Sequence, residues 1–387
     1  MITPDIKSRM PSVGTTIFTT VSRLATDHGA INTGQGFPDF EPPSELIECV
    51  HRHLKCGGNQ YAPMAGAPSL LTAIAAKVQR CYHRSVDPLT EVTVTCGGTE
   101  ALTVAIQALV HPGDEVIILD PSYDSYAPII ELVGASAVRI PLLGPTFLVD
   151  WERIHQRVND RTRMIIINNP HNPSGACLNA ADLSELERLV ERWPVLILAD
   201  EVYEHMVFDS RPHQSLHRSE VLRERAVIVA SLGKTYHVTG WKVGYCVAPA
   251  VLTAEIRKLH QFVTFAISHP MQLGLADFLN EHPEWDQNLG GFYQAKRDRL
   301  IRGLSQSLFT FIPTPSTYFQ VVDYSQISAL ADVEFVQKLI VQHKVAAIPL
   351  SVFYEMPPIM RQVRLCFAKS DAILDEAAHR LSQVTKG

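Results

Sequence analysis

The 387-residue chain has no apolar run approaching the roughly 18 residues of a membrane span, so no membrane partner is expected. It has no run of like charge beyond a few residues. Its formal charge of −6 and pI near 6.2 leave no basic field for nucleic acid. The seven cysteines, at 49, 56, 81, 96, 177, 246 and 366, are odd in number and scattered, with no Cys-x-x-Cys pair. That usage argues against a disulfide framework and a zinc site, and fits a reduced cytoplasmic protein with no metal. Met1 to Thr20 lack the cationic head and apolar stretch of a secretory signal. Internal repeats and low-complexity segments are also missing.

With 46% hydrophobic and 19% charged residues, the length suits one large or two ordinary globular domains. Residues 1–40 form an arm rich in Thr, Ser, Gly and Pro. Helical patterns follow at 44–54 and 69–82. From residue 91 strands and helices alternate, the pattern of an α/β fold. Seven short segments, most of them apolar, read as strands: 92–95, 115–119, 137–142, 163–167, 195–199, 226–230 and 243–247. Helices are expected at 101–109, 151–158, 180–193, 254–267 and 271–281. A long helix at 285–307 leads into an α+β segment, with strands near 317–322 and 363–367 and helices near 333–343 and 373–384.

The chemistry centres on Ser231 to Tyr245, directly after the apolar run Ala226–Ala230. Lys234 lies in a small, Gly-punctuated loop just past a buried strand end. Partial dehydration disfavours its ammonium form and makes the amine a usable nucleophile towards an aldehyde. Ser231 and Lys242, three residues before and eight after, can hold a phosphate on the same molecule. An ordinary surface lysine is the plain competitor. A Walker loop is not, because Ile228 occupies the position of its first glycine.

Other strand ends carry comparable features. Cys96-Gly97-Gly98-Thr99-Glu100 is a Gly-rich turn into a helix, which presents free N–H groups to an anion, although a plain capped turn reads the same way. No Gly-x-Gly-x-x-Gly fingerprint occurs there. Asp200 ends an apolar strand, either as a helix cap or as a functional carboxylate. Arg364 lies inside the apolar strand Gln362–Phe367 and needs an anion, from an internal ion pair or from a ligand. Asn168 to Gly175 contains two Asn-Pro steps, a loop signal at the ligand-binding edge of an α/β sheet.

Ser-Leu-Gly-Lys at 231–234 and Gly-Trp-Lys-Val-Gly at 240–244 resemble the cofactor-lysine signature of the class I/II aminotransferases, pyridoxal-phosphate (PLP) enzymes of fold type I. The resemblance extends over nearly the whole chain. Around Tyr61, Tyr123 and Tyr236 it is strongest with the methionine aminotransferase and kynurenine/glutamine aminotransferase branch. It implies a mostly parallel seven-stranded sheet sandwiched by helices in a large PLP-binding domain, residues 41–283. A smaller α+β domain would comprise the arm, 1–40, and the segment 284–387.

The resemblance also distributes roles. Lys234 bonds the PLP aldehyde and then serves as base and acid. Gly98, Thr99, Ser231 and Lys242 bind the phosphate, with Tyr61 reaching across the interface of a homodimer. Tyr123 stacks on the ring, Asp200 holds its nitrogen, and Asn172 and Tyr203 its 3′-oxygen. Arg364 clamps the substrate α-carboxylate beside Gly36. Phe18, Phe37, Tyr61 and Phe353 are implied in an apolar side-chain pocket, where each reads equally as core packing.

The implied reaction moves an amino group from an L-amino acid to a 2-oxo acid in two halves, by a ping-pong mechanism. Methionine is the expected donor, with aromatic, leucine-like and glutamine side chains as co-substrates. No second arginine for a dicarboxylic side chain is evident. Two alternatives share the fold: a carbon–sulfur β-lyase, and a non-catalytic PLP-binding regulator. The regulator usually carries a DNA-binding domain, for which no room is expected before residue 15 or after 384.

Overall fold

A computed structural model of the chain describes residues 6–11 and 13–386; residues 1–5 and Ser12 of the expected arm lie outside them. In chain order the strands are β1 (Ile31–Asn32), β2 (Val92–Cys96), β3 (Glu115–Asp120), β4 (Ser136–Pro141), β5 (Thr162–Asn168), β6 (Leu196–Asp200), β7 (Ala226–Ser231), β8 (Val243–Val247), β9 (Phe319–Asp323), β10 (Val345–Ala346), β11 (Ile348–Pro349) and β12 (Gln362–Cys366).

The central sheet has seven strands in the order β2-β8-β7-β6-β5-β3-β4. All are parallel except β8, which runs antiparallel to β2 and β7. Burial on both faces explains the unbroken apolar runs. Ile165, Ile167, Ile197 and Ala199 face one layer, with the helices Trp151–Arg157 and Ala180–Arg192. Met164, Ile166 and Leu198 face the other, with the helices Gly97–Leu109 and Ala250–Val263. This alternation is the two-residue strand period applied across a sandwich.

Topology puts the chemistry on one edge. The parallel strands end there at Cys96, Asp120, Asn168, Asp200 and Ser231. Because β8 is reversed, its beginning, just after Lys242, joins the same edge; Cys96 pairs Val243 and Ser231 pairs Gly244.

The C-terminal segment builds a three-stranded antiparallel sheet, β11-β12-β9, in which Arg364 lies opposite Val321 and Ile348. The arm packs beside it: β1 pairs β10 in a separate two-stranded sheet, and Val21 and Ala25 pack in one cluster with Leu365, Phe367 and Leu374.

Several element boundaries differ from expectation. The arm contains a helix, Ile17–Asp27, whose first turn is capped by Thr16 accepting from Thr19 N. A helix also forms at Tyr126–Leu132. The helix expected from Ala101 begins at Gly97, so the Gly-rich turn is its first turn. The helix expected at 254–267 runs from Ala250 to Val263, because Pro249 suits only a helix start. The expected 333–343 helix is regular only over Asp332–Lys338 and then widens into a π turn, Leu339–His343. Among the described residues no helix is long and apolar enough to cross a membrane.

Candidate active site

A cavity of about 400 Å³ opens at that sheet edge, between the central sheet and the C-terminal sheet. Its walls include Phe18, Gly36, Gly98, Thr99, Tyr123, Asn172, Asp200, Tyr203, Ser231, Lys234, Lys242 and Arg364. These come from segments more than 300 residues apart. Two of the expected residues are elsewhere on their own chain. Tyr61 is 83% exposed and packs edge-to-face on Phe265, 5.4 Å between centroids. Phe37 is 44% exposed and does not line the cavity; its ring lies under Lys369 Nζ at 5.0 Å. Phe353 is buried beside the site, 6.0 Å from Phe18.

Lys234 lies in a four-residue helical turn after β7. Ser231 caps it, its hydroxyl accepting from Lys234 N at 3.3 Å. The amine donates to Tyr318 Oη at 2.8 Å and to the Gly36 carbonyl at 3.2 Å. Among the described residues no carboxylate pairs with it. Burial first, then the positive charges of Arg364 and Lys242, lower its pKa to about 8. The dehydration argued from the sequence is therefore present, and about a tenth of the amine is neutral at pH 7, far more than for an ordinary lysine.

The stretch Asp200-Glu201-Val202-Tyr203-Glu204 carries three acids, and the structure separates their roles. Glu201 is tied to His213 Nε2 at 3.0 Å and accepts from Leu216 N at 2.9 Å. Glu204 is held by Lys77 at 2.5 Å and by Tyr82. Only Asp200 lines the cavity. It is 4% exposed and accepts from Tyr126 Oη at 2.6 Å. Burial raises its pKa to about 6, while the Tyr126 bond pulls the other way. Such a carboxylate calls for a cationic partner from a ligand.

Arg364 is 1% exposed and has no carboxylate partner among the described ion pairs. Nη1 donates to Asn172 Oδ1 at 2.7 Å and Nη2 to Gly34 O at 3.0 Å, while Nε is buried without a partner. The guanidinium lies 3.9 Å from the Phe319 ring centroid, 5.2 Å from Phe353 and 5.5 Å from Phe18. The internal ion pair left open by the sequence is thus not formed among the described residues, and a buried fork of this kind could hold a carboxylate. Asn172 spends its carbonyl on Arg364, which leaves its amide N–H as the donor at the cavity.

The anion end is built on the helix Gly97–Leu109. Gly97 has φ +70°, and a methyl group there would lie 3.2 Å from Lys242 Nζ. The lysine ammonium therefore sits over the helix N-terminus, where backbone N–H groups and the helix dipole favour a phosphate. A larger cleft of about 660 Å³ lies between Phe147 and Phe311, but no lysine lines it, and its Gln320 and Asp182 are already hydrogen-bonded within the chain. Cys49, Asp277 and Glu281 also approach one another, but Arg52 donates to all three and fills the place of a metal.

Sequence reasoning did not identify Tyr126 or Tyr318, which touch Asp200 and Lys234. The Pro-x-Tyr-x-x-Tyr spacing at 121–126 placed Tyr126 near the edge, but nothing in the sequence set Tyr318 apart.

A neutral-capable lysine, a buried carboxylate, an anion-binding helix start and an unpaired arginine in one cavity suit an aldehyde cofactor that carries a ring nitrogen and a phosphate, with an amino-acid substrate. The fold and the site define a PLP enzyme. The family described as aminotransferase class I and II matches residues 29–381. The chain is 50% identical over 378 residues to a methionine aminotransferase of Escherichia coli K12, covering 98% of each. A crystal structure from Escherichia coli, reported with a methionine aminotransferase function, superposes with a TM-score of 0.97 at 50% identity, over 98% of this chain and 100% of that one. A probable N-succinyldiaminopimelate aminotransferase of Mycobacterium tuberculosis is 38% identical, covering 97% of each chain. The chain belongs to the class I and II aminotransferases, and it is a PLP-dependent transaminase of fold type I acting on amino acids and 2-oxo acids.

Proposed function

We propose that this transaminase takes L-methionine as an amino donor, with aromatic, leucine-like and glutamine side chains as further donors. One observation carries the assignment of the site: Arg364 is buried with no ion-paired carboxylate among the described residues, in the cavity that also holds the amine of Lys234. The 50% identity to the Escherichia coli methionine aminotransferase supports the side-chain preference, as do the rings of Phe18, Phe319 and Phe353 around the arginine.

In this reading the larger domain is 41–283, and the smaller is the arm with 284–387. Pyridoxal phosphate, when bound, supplies an aldehyde for the substrate amine and a ring that takes up the electron pair left at Cα. Lys242, Ser231, Gly98 and Thr99 hold the phosphate, and Tyr123 covers the ring. Asp200 keeps the ring nitrogen protonated, while Asn172 and Tyr203 donate to its oxygen. Arg364 fixes the α-carboxylate and so orients Cα. Lys234 would then hold the Cα proton, taking it up as base and giving it back as acid. The protein works as a cytoplasmic homodimer in which Tyr61 of each copy completes the other's phosphate site. The exposed aromatic surface of Tyr61, Phe262 and Phe265, at 83%, 89% and 39%, supports that interface.

The test is an absorbance spectrum of the holoenzyme before and after excess L-methionine, with no oxo acid present. Loss of the visible band of the lysine-bound cofactor, with one equivalent of 2-oxo acid formed, is expected. A band that persists with methionine and fades with glutamine or an aromatic amino acid refutes the methionine preference. Pyruvate and ammonia from a cysteine-type substrate point instead to the β-lyase.

A further inference from the structure

Tyr318 is fully buried, and its hydroxyl donates to the Gly36 carbonyl at 2.6 Å. That bond uses its only hydrogen, so the phenol oxygen meets Lys234 Nζ, 2.8 Å away, as an acceptor. The ring has little freedom. Phe367 N donates to the Tyr318 carbonyl at 2.9 Å, and the rings of Tyr203, Tyr293 and Phe319 stand 5.2, 5.6 and 4.8 Å away.

We infer that Tyr318 is a positioning residue for Lys234: with the Gly36 carbonyl it forms a seat for the lysine amine whenever that amine is not bonded to an aldehyde. The inference rests on the reading of Lys234 as the cofactor lysine. A free amine on a four-carbon stem has many rotamers, and two fixed acceptors select one. A tetrahedral nitrogen has four positions. The side-chain carbon fills one and the two donated hydrogens fill two. The fourth is the lone pair of the neutral amine, the position that takes a proton from substrate Cα. The seat thus aims the base without occupying its lone pair.

The chemistry of the seat matters as much as its place. A carboxylate there would hold Lys234 as ammonium. A phenol and a carbonyl are uncharged acceptors, and burial keeps the Tyr318 phenol well above its ordinary pKa, so it stays neutral. Other groups also face the amine. Arg364 and Lys242 oppose its protonation, Asp200 and Cys366 favour it, and the Tyr203 ring lies 5.7 Å away. Only Tyr318 and Gly36 are hydrogen-bonded to it among the described residues.

Tyr318→Phe removes one oxygen and keeps the ring. The reactivity of Lys234 in the cofactor-free protein is read against pH by trace acetic anhydride labelling and peptide mass spectrometry. Loss of an acceptor that favours the ammonium form lowers the Lys234 titration by about one pH unit. In the holoenzyme, kcat falls about tenfold with KM for the amino acid unchanged, because the Arg364 clamp is intact. Incorporating 3-fluorotyrosine at position 318 weakens the acceptor without changing its shape, and gives a smaller shift in the same direction. An unchanged Lys234 titration in both variants overturns the seat. Failure of the wild-type protein to take up pyridoxal phosphate at Lys234 overturns the functional reading itself, which the labelling does not require.

Discussion

Replacing Arg364 by lysine keeps a positive charge and removes the fork. The arginine donates to Asn172 Oδ1 and Gly34 O and keeps an unpartnered Nε, so its plane and direction are fixed before any ligand arrives. A substrate carboxylate then meets two parallel donors without reorganisation. A lysine ammonium is a point charge that cannot keep both protein contacts and also offer a second donor. The loss is about one charge-assisted hydrogen bond plus the orientation it enforced, about 2–4 kcal/mol. That corresponds to a fall of about 30- to 1,000-fold in kcat/KM. Single-turnover kinetics of the first half-reaction with methionine, phenylalanine and glutamine measure it, with the cofactor absorbance as the check on folding. Every amino acid has the same α-carboxylate, so the fold-loss should be alike for all three. A loss confined to one side-chain class, or under threefold for all, refutes the clamp.

The pKa of about 8 for Lys234 predicts that its rate of cofactor capture rises about tenfold per pH unit and levels off near pH 8. An ordinary lysine would still be accelerating at pH 10, which stopped-flow mixing of the cofactor-free protein with pyridoxal phosphate distinguishes. Tyr126→Phe removes the bond that pulls the Asp200 pKa down, so that pKa moves further above about 6. Cofactor affinity, measured by equilibrium dialysis, should then weaken more at pH 6 than at pH 8; equal losses would count against the assignment. Gly175 has φ +72°, and a methyl group there would lie 1.8 Å from Thr314 Oγ1, so Gly175→Ala should cost about 2–4 kcal/mol and lower Tm by several degrees in calorimetry.

The central strands were legible because a parallel sheet buried on both faces is written as continuous apolar runs, as in Met164–Ile167 and Leu196–Ala199. The helix Ile17–Asp27 was hidden by its Thr- and Ser-rich composition, although Ile17, Val21, Leu24 and Ala25 carry its buried stripe. β10 and β11, two residues each, are too short to show any period. The cavity residues were legible where a Gly, Asn, Asp or Lys interrupts an apolar run at a strand end. Tyr126 and Tyr318 were not, because their roles come from contacts 74 and 84 residues along the chain. Phe37 was implied only by the resemblance, and on its own chain its ring lies under Lys369 rather than among the cavity walls.

The two cations proposed to anchor the ligand also tune the basicity of Lys234 beyond what burial does. After burial, Arg364 and Lys242 both lower the proton affinity of Lys234. Before a ligand binds, this keeps the amine neutral enough to attack an aldehyde. A phosphate beside Lys242 and a carboxylate on Arg364 cancel those charges, so filling the two anion sites strengthens Lys234 as a proton acceptor at the stage when Cα must lose its proton. The coupling is testable in the cofactor-free protein. Inorganic phosphate and a simple carboxylate such as 4-methylthiobutanoate, added together, should raise the titration of Lys234 measured by competitive labelling. Each alone should raise it less. In Arg364→Leu the response to the carboxylate should vanish while the response to phosphate remains. A titration indifferent to both anions would mean that burial alone sets the basicity of Lys234, and that the cations serve only to bind.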